Sequence, residues 1–161
     1  FEVCGDEQSE AVDYAKAFHV GISCALFFRA DVAKQVAFDE SLGPGAGTRW
    51  ACGDDTDYVY QCIDAGYNIY YDAGLHVRHP NPSKKNEFRE NVRREYTYGV
   101  GKGYFMGTHH QVPRAFLNDE YRAPYRNTVA AISKGNLRRA VSYLANGIGT
   151  SLGYRLGLRK T

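Results

Sequence analysis

The sequence predicts an α/β chain followed by a basic, helical tail, on three observations. The apolar run His19 to Arg29, Val-Gly-Ile-Ser-Cys-Ala-Leu-Phe-Phe at its centre, is short and rich in β-formers, and helical character follows over Ala30 to Val36. Ile69-Tyr70-Tyr71 and Leu75-His76-Val77-Arg78-His79 read as two further short strands around Asp72-Ala73-Gly74, closed by Pro80 and Pro82. From Val129 onward, Leu137, Val141, Leu144, Ile148, Leu152 and Leu156 recur every three or four residues among arginines, the period of an amphipathic helix.

The 161 residues, 43% hydrophobic and 24% charged, are enough for one domain with its own core. The chain opens on Phe1 without a targeting segment, so an excised piece is expected. Four cysteines, Cys4, Cys24, Cys52 and Cys62, lie far apart with no Cys-x-x-Cys pair. That spacing argues against a zinc site and for reduced thiols, hence a cytoplasmic location. Residues 1 to 83 hold 5 basic and 13 acidic side chains, net −8, and residues 84 to 161 hold 15 and 5, net +10. The two halves therefore face different partners.

Residues 6 to 16 are acidic and read as a solvated loop or short helix. The stretch Phe38 to Gly47 packs three glycines and a proline into its second half, which makes it a loop, and a mobile one. After Trp50 the chain reads Gly53-Asp54-Asp55-Thr56-Asp57, then Tyr58, Val59, Cys62 and Ile63 at helical spacing, and stops at Gly66: a capped helix with acids at its N-terminus. Phe88, Val92 and Tyr96 give the next helix an apolar face opposite a basic one. Tyr98-Gly-Val-Gly-Lys-Gly103 is expected to interrupt it, and Pro113 and Pro124 to cut the following region into short pieces. The tail is too polar to span a bilayer.

The acids at 54, 55 and 57 admit two readings. Carboxylates at a helix start satisfy free amides and complement the dipole. One is enough for that, however, and three crowded into a turn repel one another. A carboxylate cluster beside an aromatic residue and a flexible loop also suits a sugar site, where the ring faces a pyranose and a carboxylate removes a proton.

The order Gly21-Ile-Ser-Cys-Ala-Leu-Phe-Phe-Arg29, Phe38-Asp39-Glu40-Ser-Leu-Gly43, Gly53-Asp54-Asp55-Thr56-Asp57, Ala65-Gly66-Tyr-Asn-Ile69-Tyr70 and Val77-Arg78-His79 resembles the C-terminal, acceptor-side half of family 2 glycosyltransferases, over about residues 19 to 105. The resemblance implies a partial GT-A domain over residues 1–105, a Rossmann-like mixed sheet with flanking helices, and a helical amphipathic tail over 106–161. It implies an inverting transfer from a nucleotide-sugar donor to a saccharide or lipid-linked acceptor, with Asp55 as general base and Asp54 orienting the acceptor. Asp54 stands where the family usually has Glu. The family's Asp-x-Asp motif and nucleotide-binding portion precede this region and are not in the chain, so a divalent metal, magnesium or manganese, is expected to be held mainly there. The Gln-x-x-Arg-Trp signature of processive synthases is missing as well, since Ala46-Gly47-Thr48-Arg49-Trp50 lacks the glutamine, and single-sugar addition is expected.

The remaining candidates each keep a second reading. His79 resembles the family histidine that approaches metal or diphosphate, or is a plain strand-end histidine. Trp50 is a sugar platform or a core anchor, and Arg49 beside it is an acceptor or phosphate contact. Lys102 closes over the donor diphosphate, or its glycine-rich surroundings are a hinge; the P-loop pattern is absent. His109-His110 lacks companions at metal spacing and reads as loop. The tail contacts anionic lipid at the inner face of the cell membrane, or folds back with a solvated basic face. A non-catalytic carbohydrate- or membrane-binding module is the competing function. Nucleic-acid binding ranks last, because no recognition module is present.

Overall fold

The computed structural model describes residues 8–20, 23–77 and 87–160. Among them are six α-helices and one two-stranded sheet: β1 (Glu10–Ala11), α1 (Tyr14–Val20), α2 (Ala30–Gln35), α3 (Asp54–Asp64), β2 (Tyr70–Tyr71), α4 (Phe88–Thr108), α5 (Arg114–Ser133) and α6 (Leu137–Gly157). The expected α/β class, a partial GT-A domain with a Rossmann-like mixed sheet, is therefore corrected: the described chain is mainly helical. It divides into two compact units, one of Phe1–Glu40 with Asp54–Asn81, the other of Ser41–Gly53 with Pro82–Thr161.

In the first unit the run expected to be a strand turns through a 3-10 segment at Ser23–Ala25 and continues without ladder pairing to Arg29, with Phe27 exposed. A short apolar run does not by itself separate a buried strand from an irregular segment, and here Phe28 packs inward, edge-on to Tyr58. β2 stops after two residues because Asp72 starts a turn, accepting from the Gly74 amide at 2.8 Å on its carboxylate and from the Leu75 amide at 3.1 Å on its carbonyl. Leu75 to Val77 then run without pairing; residues 78 and 79 lie outside the described residues. β1 lies antiparallel to β2, with Glu10 opposite Tyr71 and Ala11 opposite Tyr70. The core of this unit is Val32, Val36, Tyr58 and Cys62, with Phe28, Tyr67 and Ile69 against it.

The second unit is a three-helix assembly whose central seam is glycine. Gly99-Val-Gly-Lys-Gly103 does not interrupt α4, which runs unbroken from Phe88 to Thr108. A methyl group on Gly103 would stand 2.0 Å from the Thr150 carbonyl oxygen, and one on Gly153 2.0 Å from that of Val100. Gly99 against Asn146 and Gly149 against Tyr96 are nearly as close, 2.2 Å each. Gly99, Gly103 and Gly107 on α4, and Gly149, Gly153 and Gly157 on α6, each recur every four residues, so each series lines one helix face and lets the two backbones touch. The helical cost of each glycine, about 1 kcal/mol against alanine, is offset by that approach.

Pro124 likewise does not divide its region. It lies inside the single helix α5 and is buried, leaving one carbonyl of the preceding turn without its usual donor. Packing on α6 holds the helix through it: Tyr125 donates to the Gly147 carbonyl at 2.8 Å, and Tyr121 reaches Ser151 Oγ at 2.8 Å. Asn136 caps α6, its side chain accepting from the Arg139 amide at 3.1 Å.

Candidate functional site

The acidic cluster opens α3 in the first unit. Gly53, at φ +101°, delivers the chain into the helix from a backbone conformation that side-chain-bearing residues rarely adopt. Gly66, at φ +85°, closes it, its amide bonded to the Ile63 carbonyl. The first turn then sorts its acids. Asp57 is 6% exposed and accepts from Gln61 Nε2 at 2.6 Å, an i, i+4 bond along the inner face. Asp54 and Asp55 remain half-buried at the mouth of the helix. Thr56 is buried beside Asp57. The helix start therefore carries one buried, inward carboxylate and two that are half-buried.

Behind them α3 is anchored by aromatic packing. Tyr58 stacks on Phe38, ring centroids 4.0 Å apart, and burial pushes its phenol above its ordinary pKa. Tyr60 is fully buried, donates to the Tyr14 carbonyl at 2.6 Å, and is pushed up further by the same desolvation. Tyr14 in turn donates to Asp64 Oδ1 at 2.6 Å, a bond that raises its own phenol. Burial also raises the Cys62 thiol, which keeps it in its unreactive protonated form.

Arg49, Trp50 and Lys102 belong to the second unit. The loop before α3 is stapled: the Gly43 amide donates to the Trp50 carbonyl at 2.8 Å, Thr48 Oγ1 donates to the Ser41 carbonyl at 2.7 Å, and the Trp50 amide donates to Thr48 Oγ1. Gly43 and Gly47 take positive φ to allow this closure. Trp50 stacks on Tyr104 of α4 at 3.8 Å, nearly parallel, with the Arg49 guanidinium 5.8 Å from its ring centre. One face of the indole is thus occupied by protein. Cys52 extends the same contact by donating from Sγ to the Tyr98 carbonyl.

Lys102 sits within α4, not in a loop, and its ammonium pairs with Glu120 of α5 at 2.7 Å, both side chains largely covered. It lies two residues from Tyr104, and positions so spaced on a helix point to different sides. The structure therefore does not bring Lys102 together with Trp50. His79 lies outside the described residues. Among the described residues no three His, Cys, Asp or Glu side chains converge to hold a metal ion, and no helix is long and apolar enough to cross a membrane. His109 follows α4 and packs on Phe105, ring centroids 4.2 Å apart.

Three features escaped the sequence reading. The Asp57–Gln61 pair was legible as an i, i+4 spacing and marks which acid is structural. The Tyr104 stack and the Glu120 partner of Lys102 had no local signal, since both join segments far apart in the chain. Comparison with known proteins adds no relative: no family model, curated protein or solved structure matches the chain.

Proposed function

We propose that the chain carries the acceptor-side base of an inverting glycosyl transfer, with Asp55 as that base and Asp54 orienting the acceptor. The observation that supports this reading is the sorting of the acids on α3: Asp57 is committed inward to Gln61, while Asp54 and Asp55 are half-buried in a rigid first turn. An acceptor hydroxyl gives its proton to the Asp55 carboxylate as its oxygen attacks the anomeric carbon. The bond from that carbon to the donor diphosphate breaks on the opposite face, and the nucleoside diphosphate leaves with the electron pair.

Among the described residues no three His, Cys, Asp or Glu side chains converge, and the resemblance assigns the divalent ion mainly to the family's nucleotide-binding portion. What this chain contributes is the acceptor's position and the destination of its proton. Rigidity of the α3 start matters for that role, because proton transfer requires the carboxylate within hydrogen-bond reach of one hydroxyl.

The test is nucleoside diphosphate release from a panel of nucleotide sugars, with saccharide and lipid-linked acceptors, by the full-length protein that includes the nucleotide-binding portion and by its Asp55→Asn variant; this chain alone is expected to be inactive. The substitution is expected to lower turnover about 10²- to 10⁴-fold, the range of a lost general base, with donor binding and the circular dichroism spectrum retained. Unchanged turnover removes Asp55 from the role. The competing reading, a carbohydrate-binding module without chemistry, requires saccharide binding with no turnover in either protein.

A further inference from the structure

α6 is built inside out for a helix in water. Its inner face is the glycine series Gly149, Gly153 and Gly157 with Thr150, all buried against α4, and Gly147 buried beside Tyr125 and Pro124 of α5. Five of its large aliphatic residues point the other way, Leu156 being half-buried: Leu137 is 67% exposed and Ile148 51%, with Val141, Leu144 and Leu152 also open. At 100° per residue these five fall within one narrow sector, spaced four, three, four and four residues apart, over a helix about 30 Å long. An amphipathic helix packed in a water-soluble bundle buries such a stripe. Here backbone contact holds the helix and leaves the stripe outside, a packing mode suited to surroundings where apolar side chains are not driven together.

Along the chain, from the middle of α5 through α6 to the C-terminus, the charges are of one sign. From Tyr121 to Thr161 the chain has eight basic residues, Arg122, Arg126, Lys134, Arg138, Arg139, Arg155, Arg159 and Lys160, and no acid. Arg155, exposed and seven residues after Ile148 on the same helix, continues the aliphatic sector past its end, and Arg159, also exposed, follows in the turn beyond α6. Arg138 borders its start and lies over the Phe88 ring at 5.5 Å. A second copy of this face would oppose arginine with arginine. A nucleic acid would satisfy the arginines and leave five aliphatic side chains against phosphate and sugar. A surface that is apolar below and anionic above matches both.

We infer that the outer face of α6 is an interfacial membrane-binding surface, its aliphatic stripe seated at the acyl boundary of an anionic phospholipid leaflet with Arg155, Arg159 and Arg138 at headgroup level. The helix lies in the plane of the leaflet, since no described helix is apolar enough to cross it. The tail does fold back, α6 packing along α4, but the face it leaves outside carries an aliphatic stripe and not only solvated basic groups; the inference holds whether or not Asp55 is a base.

Co-sedimentation with phosphatidylcholine vesicles and with vesicles of phosphatidylcholine and phosphatidylglycerol in a 7:3 ratio (about 30% anionic lipid) tests it at physiological salt. Binding to the anionic vesicles is expected to be at least about tenfold tighter, because juxtaposed basic groups and buried apolar area add. Leu144→Glu with Ile148→Glu is expected to abolish it, and Arg155→Glu with Arg159→Glu to remove the anionic preference. Hydrogen exchange on the unaltered chain supplies a readout independent of any variant, with added protection over residues 137–157 when anionic vesicles are present. No vesicle binding, binding unaffected by the glutamates at 144 and 148, protection confined to other segments, or a dimer in solution that those glutamates dissolve each overturns the inference.

Discussion

The two units of this chain solve the packing problem in opposite ways. The first surrounds α3 with large side chains: Tyr58, Tyr60, Val59 and Cys62 are almost wholly covered, and Phe28 and Phe38 pack against Tyr58 edge-on and face-on. The second closes α4 on α6 through glycines, with Phe105 and Met106 among its few large buried residues. In the first unit stability resides in side-chain volume, and removing atoms is what harms it. In the second it resides in the absence of side chains, and adding atoms is what harms it. The difference also explains the surfaces: a helix packed through its glycines has its aliphatic residues left over for the outside.

That contrast can be broken most directly at the seam. Gly153→Ala or Gly103→Ala places a methyl 2.0 Å from a backbone oxygen that no rotamer change can move. Each is expected to cost about 3 kcal/mol or more, the upper end of overpacking, in urea unfolding followed by circular dichroism. A cost below about 1 kcal/mol, the lower bound for overpacking, would mean the helices separate freely and the seam is not what holds the unit. Next in size is Tyr58→Ala in the first unit, which deletes a ring packed between Phe28 and Phe38 and is expected to cost about 3 kcal/mol by the same measurement.

Alkaline pH sharpens the comparison without mutation. Tyr14, Tyr58 and Tyr60, all in the first unit, have phenols raised above the ordinary value, the first chiefly by its bond to Asp64 and the others by burial. A raised folded pKa means stability that is complete below the unfolded value of about 10 and is lost as pH climbs from there through the folded values. Tyrosinate absorbance near 295 nm is expected to lag behind that of free tyrosine and then rise together with loss of structure in residues 54–71. Independent titration of all tyrosines at the ordinary value would show the buried phenols to be open to water. The smallest effect is expected from Leu144→Gln on the outer face of α6, within about 0.5 kcal/mol of the parent in water, since that side chain is already exposed.

Much of α3 was legible in the chain. Gly53 before it, the acids in its first turn, the apolar spacing from Tyr58 to Ile63 and Gly66 after it are all local signals, and the helix runs from Asp54 to Asp64 as they require. Which acid faces inward was half legible, through the Asp57–Gln61 spacing. The stacking of Trp50 on Tyr104 was open between two roles, because nothing within a few residues of Trp50 states what its ring meets.

What the sequence by itself determined was periodicity, capping and charge: where α3 starts and stops, that the last forty residues are basic, that Leu137 to Leu156 recur at helical spacing. What only the tertiary structure decided was the meaning of that spacing and of the glycines and proline near it. Gly99 to Gly103 read as a break and serve as a contact, Pro124 read as an end and lies mid-helix, and the apolar run near residue 25 read as a strand and, over its described residues, forms a 3-10 turn and an irregular segment. The physical reason is common to all of them. A glycine's cost, a proline's missing bond and an apolar face are each resolved by what lies opposite, and the partner that resolves them can be fifty residues away in the chain, as Val100 is from Gly153.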